Sequence, residues 1–137
     1  MKHDGGWLRR STRLLFESRW FRLRQDEVDL PTGETITYTM VEHPGFAMIV
    51  PLLDDRRVLL ERIYRYTVQE TLIECPSGAL DGQAPEQAAH RELEEETGYR
   101  ARKFRHLGNF AASDGYSDER YDVYLATGLS QDGQIAR

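Results

Sequence analysis

The sequence predicts a mixed α/β fold rich in antiparallel sheet, on three observations. Up to residue 75, segments of aromatic and β-branched residues alternate with turn residues. Residues 85–97 form one stretch of helical character, bounded by a proline and a glycine. Two more β-type segments follow it. With 137 residues the chain is long enough for one domain with a modest core.

In chain order, 13–24 (RLLFESRWFRLR) and 34–42 (ETITYTMVE) flank DLPTGE, where Pro31 and Gly33 supply a turn, and this predicts a hairpin. Segments 46–53 and 57–66 predict a second strand pair around the polar turn Asp54-Asp55-Arg56. A short strand at 71–74 runs into CPSGALDGQA, a loop marked by Pro76, Gly78 and Gly82. Pro85 suits the first turn of the helix and Gly98 its C-cap, whereas Ala84 is a poor N-cap. YRARKFRHLGNF and RYDVYLAT then read as strands joined by AASDGYSDE.

The 18 basic and 23 acidic residues give a formal charge of −5, which argues against a nucleic-acid partner. The charge is unevenly spread: residues 9–24 carry six arginines, while 92–96 are almost all glutamate. Cys75 is the only cysteine, so no internal disulfide or cysteine-based zinc site is available; a small buried residue is expected there rather than a nucleophile. MKHDGGWLRR lacks the apolar stretch of a signal peptide, and the longest apolar run, FAMIVPLL, is too short to cross a bilayer. A cytoplasmic protein with no membrane partner is the expectation. His3, His43, His90 and His106 show no ligand-like spacing, and surface positions are expected for them.

On a helix, Glu92, Glu95 and Glu96 fall within an arc of roughly 100°. Ala89 and Leu93 sit beside them and can anchor the helix, while Glu94 points elsewhere, towards solvent. Three carboxylates on one face repel one another unless water or cations screen them, and oxygen-rich sites suit hard ions such as Mg²⁺ or Mn²⁺. A soluble helix made of good helix formers is the plainer reading of the same residues.

The flanking residues favour the cation. Gly78, Arg91-Glu92-Leu93, Glu95-Glu96 and Gly98-Tyr99 follow the order G-x5-E-x7-R-E-U-x-E-E-x-G-U, with U bulky and apolar, and the chain thereby resembles the Nudix hydrolases. In the first half of the motif four residues rather than five follow Gly78, and Gln83 stands where a glutamate is expected. The resemblance implies a Nudix-type mixed sheet with a catalytic loop and helix, preceded by an N-terminal antiparallel strand region. It implies one domain over 1–137, with strands in 1–45 used in dimerisation and the core in 46–137. Glu92, Glu95 and Glu96 would be catalytic and, with the backbone carbonyl of Ser77, would bind Mg²⁺, Mn²⁺ being the alternative. Gly78, Arg91 and Gly98 would be structural parts of the motif, Arg91 tying loop to helix through a carboxylate.

SRWFRLR at 18–24, VEHPG at 41–45, RIYRYTVQETLIECPSG at 62–78 and GYSDERYDVYLATGL at 115–129 extend the resemblance to the ADP-ribose and nucleoside-diphosphate-sugar pyrophosphatases. That subfamily implies a homodimer that hydrolyses a nucleotide sugar to a nucleoside monophosphate and a sugar phosphate. Arg65 would contact substrate phosphate, Glu74 would lie at the pocket near the metals, and Trp20 or Phe21 would stack on the adenine. The alternatives are a solvent-facing strand arginine, a structural salt bridge, and core or interface packing, the last being preferred for Trp20 and Phe21. Asp114 replaces the proline that marks ADP-ribose specificity, so the particular sugar stays open. Glu119 is expected to pair with Arg120 or to face solvent. Relatives continue past Leu129 into an acidic loop, a strand and a helix, so a core without that C-terminal helix is expected. Two competing readings are a catalytically silent module that binds a nucleotide or protein partner, and a structural domain with a merely solvated acidic helix.

Overall fold

The computed structural model describes residues 5–133 and 135–136; His3 lies outside them. The chain divides into two compact units, residues 1–44 with 111–120 and residues 45–110 with 121–137.

The first unit is built on a three-stranded antiparallel sheet of β1 (Leu8–Glu17), β2 (Arg22–Asp29) and β3 (Thr35–Glu42), in that order. The single strand expected over 13–24 is therefore two strands with a turn between them. Ser18 makes that turn: its Oγ accepts the N–H groups of Trp20 (3.1 Å) and Phe21 (3.3 Å), and its own N–H donates to the Phe21 carbonyl at 3.0 Å. The aromatic residues that gave the segment its β character flank the break. The partner of β3 is thus β2, in register from Arg22 opposite Glu42 to Asp29 opposite Thr35, around the expected turn. There Gly33 takes φ 92°, a conformation open to glycine, and its N–H donates to the Leu30 carbonyl at 3.0 Å. Residues 111–120 join this unit through Val41, whose N–H donates to the Tyr116 carbonyl at 2.8 Å. Glu119 pairs with His43, Nδ1 to Oε2 2.7 Å, a partner that the sequence did not suggest.

The second unit contains β4 (Phe46–Pro51), β5 (Glu61–Arg65), β6 (Glu70–Glu74), β7 (Ser77–Ala79), α1 (Pro85–Thr97), β8 (Arg100–Ala111) and β9 (Arg120–Ser130). The expected pairing of 46–53 with 57–66 reduces to one bridge, Leu52 to Val58, because both strands have other partners. β5 pairs with β6, while β4 lies between antiparallel β7 and parallel β9 in the order β7-β4-β9-β8. Alternate residues of β4 are wholly buried, Ala47 and Ile49 among them, as suits a strand with neighbours on both edges. β7 occupies part of the stretch expected to be loop.

α1 packs on this sheet through Ala88, Ala89 and Leu93, against Ala47, Ile49 and Ala126, all fully buried. Alanines on both sides permit a close approach, and burial of Leu93 contributes roughly 1.5–3 kcal/mol. α1 has no side-chain cap because Ala84 offers no polar atom, and Pro85 suits the first turn because the N–H it lacks would have had no partner within the helix. Gly98 closes it at φ 72°, donating its N–H to the Glu94 carbonyl at 2.8 Å. The carbonyls at this end also accept the N–H groups of Gly133, onto Gly98, and Ala136, onto Glu95, each at 2.9 Å. α1 is the one helix among the described residues, and no helix is long and apolar enough to cross a membrane.

Candidate active site

The buried stripe of α1 sets the direction of its polar flank. With Ala89 and Leu93 against the sheet, Glu92, Glu95 and Glu96 line one cavity of about 260 Å³, together with Glu61 of β5. Ser77 and Gly78 come to the same place from β7. The Ser77 N–H donates to Glu96 Oε2 at 3.2 Å. At Gly78 a Cβ would lie 2.1 Å from Glu92 Cδ, so the glycine is what lets the Glu92 carboxylate stand against the loop backbone.

Arg91 holds the two sides together. Its Nη2 donates to the Ala79 carbonyl at 2.7 Å and to Glu92 Oε1 at 2.8 Å, and its Nη1 donates to Gln83. The neutral Gln83 thus keeps a hydrogen bond from the loop to the arginine despite the shortened spacing. Asp81 at 3.6 Å and Glu95 at 4.0 Å complete the anionic surroundings of this guanidinium. Glu94, expected in solvent, pairs with Arg100 at 2.8 Å.

Arg65 and Glu74 meet across the β5–β6 ladder. Arg65 Nε lies 3.0 Å from Glu74 Oε1 and Nη2 lies 2.5 Å from Oε2, a two-point contact that holds Glu74 below the usual carboxylate range. Trp20 belongs to the first unit. It is 60% exposed, carries the Arg19 guanidinium over its ring at 4.5 Å, and lines a cavity of about 380 Å³ with Phe21, Glu42 and His43. Cys75 is half-buried, and its thiol is pushed up by burial and by the charge of Glu61, which makes it a poor nucleophile.

One member of the cluster escaped the sequence reading. Glu61 opens β5 after the apolar run Val58-Leu59-Leu60, and a lone acid at that point was the only available signal. Its carboxyl hydrogen-bonds that of Glu96, while its Oε1 is enclosed without a hydrogen-bond partner. Burial, the bond to Glu61 and the charges of Glu61 and Glu92 push the Glu96 carboxyl up to about 8, with the Ser77 N–H acting in the opposite direction.

Among the described residues no three carboxylate, histidine or cysteine side chains already stand as a metal cage. The donor set nonetheless fits a hard divalent cation: it is all oxygen, it holds an orphaned buried oxygen on Glu61, and Gly78 leaves Glu92 room against the loop.

A Nudix-type loop and helix on a mixed sheet is the class this geometry defines. A family model described as NUDIX domain matches residues 42–136, and one described as Nucleoside diphosphate sugar hydrolase N-terminal domain matches residues 7–41. The chain belongs to the Nudix family. It is 36% identical over 121 residues to a protein named Methanol dehydrogenase activator from Bacillus methanolicus, covering 88% of this chain and 65% of that one. It is 36% identical over 117 residues to an ADP-ribose pyrophosphatase of Bacillus subtilis (strain 168), covering 85% and 63%. The chain thus spans just under two thirds of the length of these relatives. A solved structure described as an ADP compounds hydrolase superposes with a TM-score of 0.82 at 23% identity, covering 94% of this chain and 71% of that one, and it supports the fold.

Proposed function

We propose that the protein is a divalent-metal-dependent hydrolase of the diphosphate linkage in ADP-ribose or a related nucleoside diphosphate sugar, releasing a nucleoside monophosphate and a sugar phosphate. The observation that carries this reading is the gathering of Glu61, Glu92, Glu95 and Glu96 on one cavity beside the Gly78 loop. The relative named ADP-ribose pyrophosphatase and the match to a nucleoside diphosphate sugar hydrolase N-terminal domain support the substrate class.

In this reading Glu92, Glu96 and the Ser77 carbonyl hold Mg²⁺, which Mn²⁺ can replace, with Glu95 as a further ligand or water-orienting group. The bound ion supplies positive charge against the diphosphate and acidifies the attacking water. Arg91 keeps loop and helix in register. Arg65, its guanidinium plane fixed by Glu74, offers its other edge to a substrate phosphate. Trp20 serves a nucleobase or an interface in a homodimer built on the N-terminal strands, and the chain works in the cytoplasm.

A silent nucleotide-binding module is the second reading, and the observation that favours it is the absence of a ready three-ligand cage among the described residues. Gln83 favours it less, because Arg91 still reaches that side chain and the Ala79 carbonyl. The test is to incubate the chain with ADP-ribose and a panel of nucleotide sugars, with and without Mg²⁺, and to separate the products. AMP released from ADP-ribose only with Mg²⁺ is the expected result. Tight binding with no product from any substrate would favour the silent module.

A further inference from the structure

Glu61 takes no part in the loop–helix motif, yet it is built into the same cavity. It stands opposite Glu74 in the β5–β6 ladder, where two like charges would repel. Arg65, on the same face of β5, resolves this by closing on Glu74, and Glu61 faces Glu96 instead. Of the other cations nearby, Arg91 is engaged with Glu92, and Arg62, which lines the cavity, is exposed and makes no ion pair with Glu61. Glu61 is thus left with one oxygen against a second acid and the other, Oε1, shut away from water without a donor. An enclosed carboxylate oxygen with no donor is costly, and a cation shared with the neighbouring carboxylates removes that cost.

We propose that Glu61 is a further ligand of the divalent-metal site, extending the donor set of Glu92, Glu95 and Glu96 from the strand side of the cavity. The inference rests on the metal-dependent reading above. It assigns β5 two roles: its last residue, Arg65, faces substrate phosphate, and its first residue faces the metal. Glu61 also supplies an acidic group from outside the motif, whose first half has Gln83 in place of a carboxylate.

The test is binding of Mn²⁺ to the full chain, followed by loss of the free-ion electron paramagnetic resonance signal, for the parent, Glu61→Gln and Glu96→Gln, alongside melting in EDTA. Glu61→Gln should weaken Mn²⁺ binding tenfold or more, while its melting temperature in EDTA stays level or rises, because one of several crowded charges has gone. Glu61→Asp, which keeps the charge on a shorter arm, should recover part of the affinity. Binding within twofold of the parent in Glu61→Gln would overturn the inference. Lost affinity accompanied by a sharp fall in the EDTA melting temperature would overturn it too, since Glu61 would then be structural. If Glu96→Gln alone abolishes binding, only the role of Glu61 fails; if neither variant alters it, the metal reading fails as well.

Discussion

The acidic clusters of the two units handle negative charge differently. In the first, acids are met by arginines: Arg24 reaches Asp26 at 3.1 Å and Glu42 at 2.7 Å, and Arg10 reaches Asp29 at 2.5 Å. Asp26 has one enclosed oxygen without a partner, but its other oxygen holds Arg24, so the charge is balanced. In the second unit Glu61, Glu92 and Glu96 face one another, and Glu96 is raised to about 8. Both arrangements gather carboxylates that are largely shielded from water, but in the second unit the four glutamates of the cavity outnumber the two arginines beside them, Arg62 and the Arg91 that holds Glu92. A region that accumulates charge of one sign, in a fold that elsewhere balances it, is shaped for a ligand of the other sign.

The comparison can be tested in several ways. Glu92→Gln should lower metal-dependent turnover at least about a hundredfold, measured as initial rate at saturating Mg²⁺; an unaltered rate would mean that the accumulated charge serves no cation. Arg24→Met should destabilise the chain by about 3 kcal/mol in urea titration, because it strands Asp26 beside Glu42. Gly78→Ala should leave the fold in place, since the atom it meets is the mobile end of Glu92, but should displace that carboxylate and weaken Mn²⁺ binding about tenfold; calorimetry reads this.

The sign of the pH dependence follows from Glu96. Its folded value, about 8, lies above the ordinary 4.5, so the folded chain binds that proton more tightly than the unfolded one. Its contribution is fully present below about 4.5 and is lost as pH rises through 8. The metal-free chain should therefore lose stability over that interval, and Glu96→Gln should flatten the trend, as melting in EDTA from pH 5 to 8 will show. The smallest effect is expected at Gly98→Ala, about 1 kcal/mol for a left-handed C-cap, with nearby Ile135 Cγ1 at 3.2 Å from the new Cβ.

What could be read from the sequence divides along physical lines. α1 was legible because proline, periodicity and glycine are local signals and all agree, and the face carrying Glu92, Glu95 and Glu96 follows from helical spacing alone. Strand pairing was not. Alternation says that β4 is buried but not which strands flank it, and sequence proximity wrongly favoured the neighbouring segment. The turn at Ser18 was hidden by the aromatic residues around it. Glu61 was out of reach for a related reason: its place in the cluster depends on the β5–β6 register and on Arg65 choosing Glu74, and both are tertiary facts.

The most direct test of the charge contrast is calorimetric titration of the metal-free chain with Mg²⁺ at pH 7 in two buffers of different ionisation enthalpy. The account predicts saturable binding with proton release, because an incoming cation must displace the proton held on Glu96. It also predicts that Glu96→Gln abolishes the proton release. An absence of saturable heat at millimolar Mg²⁺, or binding with no proton released, would contradict it.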